Sequence, residues 1–176
     1  MGKKTNIPFY VPGWVGLSSD YEDEFFGSYV GSEAGIPKIH KQGNRLDMLM
    51  VGLTGREDLI ENKVQFLLKL KDFLESKEIR STSIHKNVGK TPGTILCRLL
   101  ISISLENVLA FERNIKINYC SYKKQKLSKS IGQFKAIKKQ KYQQLIQEGY
   151  GAEQAMKLLR IQPPTLYALL QEEAAI

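Results

Sequence analysis

FFGSYVGSEAG, residues 25 to 35, is the stretch whose reading decides the fold. As a helix, it brings Gly27, Ser28, Gly31 and Ser32 round at spacings of three and four, so positions with little or no side chain share one face. An interior Gly costs a helix roughly 1 kcal/mol relative to Ala, and two in one short helix call for a packing reason. A close helix-to-helix crossing supplies one. It leaves the only carboxylate of the stretch, Glu33, at the end of the crossing beside its counterpart.

Working upstream, Ser18-Ser19-Asp20 are N-cap types and Ser19 has capping-box spacing to Glu22, so the helix begins there; Gly35 and Pro37 end it. Residues 1–17 hold Pro8, Pro12, Gly13 and Gly16 among Phe9, Tyr10 and Trp14, which predicts an irregular arm laid on a core. Downstream, residues 36–41 alternate, Gln42-Gly43-Asn44 reads as a turn, and residues 46–54 read as a second strand of a hairpin. Thr54 and Glu57 have capping-box spacing, and Ile60, Val64, Leu67, Leu68, Leu70 and Leu74 give the period of an amphipathic helix ending near Ser76.

Residues 80–86 and 94–103 read as two more strands joined by a loop over 87–93. The second puts Ile95, Cys97, Leu99, Ile101 and Ile103 on one face and Thr94 and Arg98 on the other. Ser104 or Leu105 opens a short helix to about Arg113, and a helix from about Lys126 carries Ile131, Phe134 and Ile137 as its stripe. The order helix, strand, strand, helix, strand, strand, helix is α+β: a four-stranded antiparallel sheet with helices over one face. On the open face the pattern places Lys38, His40, Arg80, Thr82, Lys86 and Arg98, a cationic set suited to lying along a DNA groove.

Composition narrows the class. The chain has 176 residues and 42% hydrophobic composition, enough for one domain and a small appendage. It shows no apolar run of the ~18 to 20 residues a membrane span needs and no signal-peptide pattern at residues 1–14, so the expected setting is cytosol or nucleoid, with no membrane partner. Cys97 and Cys120 lie in no CxxC, which argues against a zinc site or a disulfide framework. Net charge is +8, yet it is local: from Arg113 to Lys141 there are ten basic residues and no acidic one, leaving 16 basic against 18 acidic elsewhere. Such a segment is the footprint expected of phosphate-backbone binding.

Residues 142–176 read as a helical tail: a helix, a turn at Gly149–Gly151, a second helix over 152–158 and a third opened by Pro163 and Pro164. Leu145, Ala155, Leu158, Ile161, Leu166 and Leu169 would form its small core. The pattern resembles the helix-turn-helix of resolvase-type recombinases, with PPTLYALL as recognition helix; the resemblance implies that Gln162, Thr165 and Tyr167 face DNA.

Residues 26–34, FGSYVGSEA, resemble the signature helix of the LAGLIDADG homing endonucleases. The resemblance implies an αββαββα domain over residues 18–141, between the arm (1–17) and the tail (142–176). It implies a homodimer through Gly27, Ser28 and Gly31, with paired Glu33 carboxylates holding Mg²⁺ and no small-molecule cofactor. The implied activity is a double-strand break in a long, near-palindromic duplex. Gly31 stands where the motif usually has its first acid, and Gly52 where some members carry a polar side chain near the metal. Lys124, then Lys126, would sit close to the cleaved phosphate, with Lys123 and Lys129 on the DNA backbone. Related readings are a half that pairs with another chain, a non-catalytic LAGLIDADG-plus-helix-turn-helix regulator, and an intron maturase.

Overall fold

Ser18 Oγ accepts the Tyr21 N–H at 3.2 Å and opens α1, Ser19–Glu33, with Asp20 and Glu22 at the positive end of the helix. The cap is thus Ser18, one residue before the Ser19 of the expected capping box. The structure, a computed structural model, describes residues 4–40, 46–47, 49–117 and 119–171. The other elements are β1 (Leu49–Arg56), α2 (Ile60–Ser76), β2 (Ser81–Val88), β3 (Thr94–Ile101), α3 (Leu105–Asn114), α4 (Ser121–Gln147), α5 (Ala152–Leu159) and α6 (Pro163–Gln171).

The chain is α+β, with an antiparallel sheet in the order β1-β3-β2. Among the described residues the sheet has three strands, not four. The expected first strand is reduced to one bridge, Ile39 to Leu46, and an Asp47 N–H on the Lys38 carbonyl at 2.6 Å. Pro37 has no N–H for a ladder, and only residues 38–40 follow it before the expected turn, which lies outside the described residues together with Lys41. The helix cap expected at Thr54 is not formed either. Thr54, Gly55 and Arg56 instead continue β1 against Leu96, Ile95 and Thr94, and α2 starts after a short 3₁₀ turn, Glu57–Leu59.

Val51, Leu53, Cys97, Leu99 and Ile101 point from one sheet face into a core shared with Phe26 and Val30 of α1, Phe66, Leu67, Leu70, Phe73 and Leu74 of α2, and Val108 and Phe111 of α3. Phe26 and Phe73 stack with centroids 4.9 Å apart. Leu68, expected inside, is partly exposed, while Phe66 and Phe73 fill the space beside α1. The arm lies on this core as expected: Phe9 packs edge-on to Phe66 at 4.7 Å and its N–H meets Asn62 Oδ1, while Val15 is buried.

α4 carries Leu127, Ile131 and Phe134 inward and runs unbroken through residue 142, so the tail begins in mid-helix. Leu159, Ile161, Leu166 and Leu169 extend the same core. Leu158 does not belong to it, being 60% exposed; the phase of α5 turns Ala155 and Leu159 inward instead. No helix among the described residues is long and apolar enough to cross a membrane.

Candidate nucleic-acid interface

The small residues of α1 divide between two faces. Gly27 and Gly31 are buried against residues 116 and 117 of the same chain: a Cβ at Gly27 would collide with the Lys116 carbonyl oxygen, and one at Gly31 would lie 3.0 Å from Ile117 Cγ2. Their packing reason is therefore inside the chain, which corrects the expectation that both serve an intermolecular crossing. Asp23 pins this approach, pairing with Lys77 at 2.5 Å and Lys116 at 3.6 Å. Ser28 and Ser32 face the other way, into an open depression of about 620 Å³ lined also by Trp14, Phe25 and Tyr119.

Glu33 is the last residue of α1 and is partly exposed. Two contacts fix its surroundings. The Gly35 N–H donates to the Met50 carbonyl at 3.1 Å, tying the end of α1 to the start of β1. Lys123 Nζ, from the first turn of α4, donates to the carbonyls of Ser32 at 2.6 Å and Ala34 at 3.0 Å, a cation on the negative end of α1. The structure thus brings Lys123, rather than Lys124, to this end; neighbours on a helix point about 100° apart, and Lys124 is exposed. Lys126 lies 4.3 Å from the Tyr122 ring centroid, and Lys129 is exposed on the same helix. The Tyr29 hydroxyl is buried with no hydrogen-bond partner among the described residues, and burial, then the charge of Glu33, pushes the phenol well above its usual range.

The sheet face away from the helices has Arg98 near its middle, directly between Gly52 of β1 and His85 of β2. Directly opposed residues share a face, so all three positions are on the open side. His40, Met50, Thr82, Arg98, Leu100 and Ile103 line a depression there of about 820 Å³, together with Asp47. The structure therefore brings together His40, Thr82 and Arg98 of the expected set. Lys38 and Arg80 are exposed near the sheet ends, the Arg80 backbone being held by the Asn107 side chain.

Lys86 is a correction. It pairs with buried Cys97, so it stands on the helix-covered side, 3.6 Å from Glu61 of α2. The irregularity between Ser81 and Ile84 shifts the phase of β2, which strict alternation from residue 80 does not anticipate. The same shift gives His85, assigned no role from sequence, a place beside Arg98. Burial raises the Cys97 thiol above its usual range, partly offset by the Lys86 charge.

In the tail, Tyr167 is 66% exposed, Thr165 is partly buried and Gln162 is exposed. The Gln162 N–H is occupied by Glu106 Oε1 of α3 at 2.9 Å, which docks the start of α6 onto the main core. Sequence reasoning also missed Lys63, fully buried in α2, whose Nζ donates to the Ile7 carbonyl at 2.5 Å and lies 5.0 Å from the Phe9 ring centroid. Its place in a helix-period apolar face was the available signal.

Among the described residues no group of three His, Cys, Asp or Glu side chains is close enough to hold a metal ion. One chain offers Glu33 alone at the end of α1. Mg²⁺ keeps several waters and is commonly held by one or two protein carboxylates, of which one chain supplies Glu33 at this end. No known family, no curated protein and no solved structure matches the chain.

Proposed function

We propose that the chain binds duplex DNA along the open sheet face and acts, in a two-fold pair, as a LAGLIDADG-type site-specific endonuclease. One observation carries this reading: the Gly35–Met50 hydrogen bond sets the Glu33 end of α1 at the edge of the face that holds Arg98, His40 and Thr82. A carboxylate thus lies next to a surface furnished with side chains that contact bases and phosphates. Exposed Lys124, Lys126 and Lys129 add phosphate-binding charge.

Ser28 and Ser32, with Trp14 and Tyr119 beside them, form the pairing surface, and small side chains there let a second α1 approach closely. Pairing brings two Glu33 carboxylates together at the bottom of the crossing, and a two-fold protein pairs with a near-palindromic target. The paired Glu33 carboxylates would hold Mg²⁺, which would supply an activated water and charge stabilisation for the leaving 3′ oxygen. The protein's part is to orient the backbone across the sheet and to place cationic charge where negative charge builds on the phosphate.

A second reading is non-catalytic, sequence-directed DNA binding. The Lys123 ammonium on the Ser32 and Ala34 carbonyls favours it, because a fixed cation beside Glu33 opposes a metal there. Selection from a randomised duplex pool in Mg²⁺ separates the two. The endonuclease reading requires an enriched near-palindromic site that wild type cuts and Glu33→Gln binds without cutting. Enrichment with no cutting leaves the binding reading; no enrichment at all defeats both.

A further inference from the structure

Lys138 of α4 is held in an unusual way for a lysine on a basic helix. Its Nζ donates to the Leu159 carbonyl at 2.8 Å and lies 5.2 Å from the Phe134 ring centroid, so its charge is fixed against the end of α5. The next residue, Arg160, is a non-glycine residue with φ of 53°, in the left-handed region, and its N–H is bonded to the Lys157 carbonyl at 3.2 Å. Lys141 stands three residues beyond Lys138, on the same helix face. Lys138 and Lys141 of α4, and Arg160, the residue after the carbonyl that Lys138 holds, therefore stand where α4 meets the α5–α6 turn.

The balance of charge there is one-sided. Burial lowers the Lys138 ammonium, Lys141 and Arg160 lower it further, and among the described residues Glu106 is the carboxylate acting in the other direction. Glu106 already accepts the Gln162 N–H. The fold thus holds like charges together, and an anion placed among them relieves their repulsion. Lys138 has two ammonium hydrogens beyond the one on Leu159, and an arginine fork suits phosphate oxygens.

We propose that Lys138, Lys141 and Arg160 form a phosphate-binding cluster through which the C-terminal helices clamp a nucleic-acid backbone, rather than reading bases with α6. The choice of nucleic acid as the source of phosphate rests on the duplex-binding reading above. Position supports it: Ile39, in the isolated bridge that precedes β1, shares a shallow depression with Gln133, Ala136 and Ile137 of α4. Lys141 is four residues past Ile137, roughly 6 Å along the helix. α6 itself, PPTLYALLQ, carries no charge.

The test is the salt dependence of duplex affinity for wild type and for Lys141→Gln/Arg160→Gln, with Lys138 kept because it braces α5. The slope of log affinity against log salt should fall in magnitude by about 2 in the double variant, because each neutralised phosphate contributes about 0.9. An unchanged slope, or a loss confined to particular base pairs, overturns the clamp. In a second arm, inorganic phosphate is titrated while the amide resonances of Leu159, Arg160 and Gln162 are followed. Shifts in wild type that vanish in the double variant support the cluster, and no shift in wild type overturns it. Shifts with phosphate from a wild type that binds no duplex would keep the phosphate cluster, overturn the clamp and defeat the duplex-binding reading.

Discussion

Replacing Gly27 with Ala should destabilise the protein, although the same change in an open helical position should stabilise it. Ala gains about 1 kcal/mol of helix propensity over Gly. At Gly27 the added methyl would meet the Lys116 carbonyl oxygen, a backbone atom that cannot swing aside as a side chain can. The segment is also tethered, by Ile115 N–H on the Phe111 carbonyl at 3.0 Å and by Lys116 on Asp23. Forcing extra volume into such a site costs about 1–3 kcal/mol, and a rigid backbone obstacle belongs in the upper part of that range, so after the propensity gain the net loss should be up to about 2 kcal/mol.

At Gly31 the obstacle is Ile117 Cγ2, the end of a side chain that can yield by a few tenths of an ångström, so Gly31→Ala should be close to neutral. Gly132 in α4 has nothing within 4 Å, and Gly132→Ala should gain up to about 1 kcal/mol. Urea denaturation followed by circular dichroism, at two protein concentrations, measures all three. Gly27→Ala as stable as Gly132→Ala would refute the reasoning. So would a loss that grows on dilution, because it would place Gly27 between chains.

Three further outcomes follow from buried or capping groups. Burial lowers the Lys63 ammonium, so between its folded value and the unfolded value near 10.5 the unfolded chain binds more protons; stability should rise with pH across that window. Thermal melts of wild type and Lys63→Met over the same pH range check this, and equal slopes would exclude it. The Tyr29 phenol is held up by burial and by Glu33, so phenolate absorbance should show no difference between wild type and Tyr29→Phe at pH values just above 10 while the protein stays folded. Removing the cation that caps α1, in Lys123→Met, should cost about 1 kcal/mol in urea; no change in midpoint would mean the Ser32 and Ala34 carbonyls are equally well served by water.

Local chemistry made much of the chain legible. The serine cap at Ser104, the 3.6-residue periods of α2 and α4, and the alternation of β1 and β3 are properties of short segments, and the structure follows them, while the cap of α1 falls on Ser18 instead of Ser19. The α+β class and the helix-free sheet face with Arg98 follow from those patterns. Lys86 shows where they fail: one irregularity in β2 turns it over to the side of Cys97 and Glu61, and nothing in the local sequence marks that slip.

The opening stretch shows the same division. Its small residues announced a close approach, because nothing else compensates for two glycines in a helix. Which surface would approach was decided by the tertiary fold. Residues 116 and 117, far along the chain, fill the Gly27 and Gly31 side, leaving Ser28 and Ser32 as the open one. Likewise the lysine count fixed a basic segment, but only packing singled out Lys123 at the end of α1 and Lys138 against Leu159. Sequence periodicity sets which residues share a face; which faces meet depends on contacts between residues distant in the chain, and these form only when the core closes.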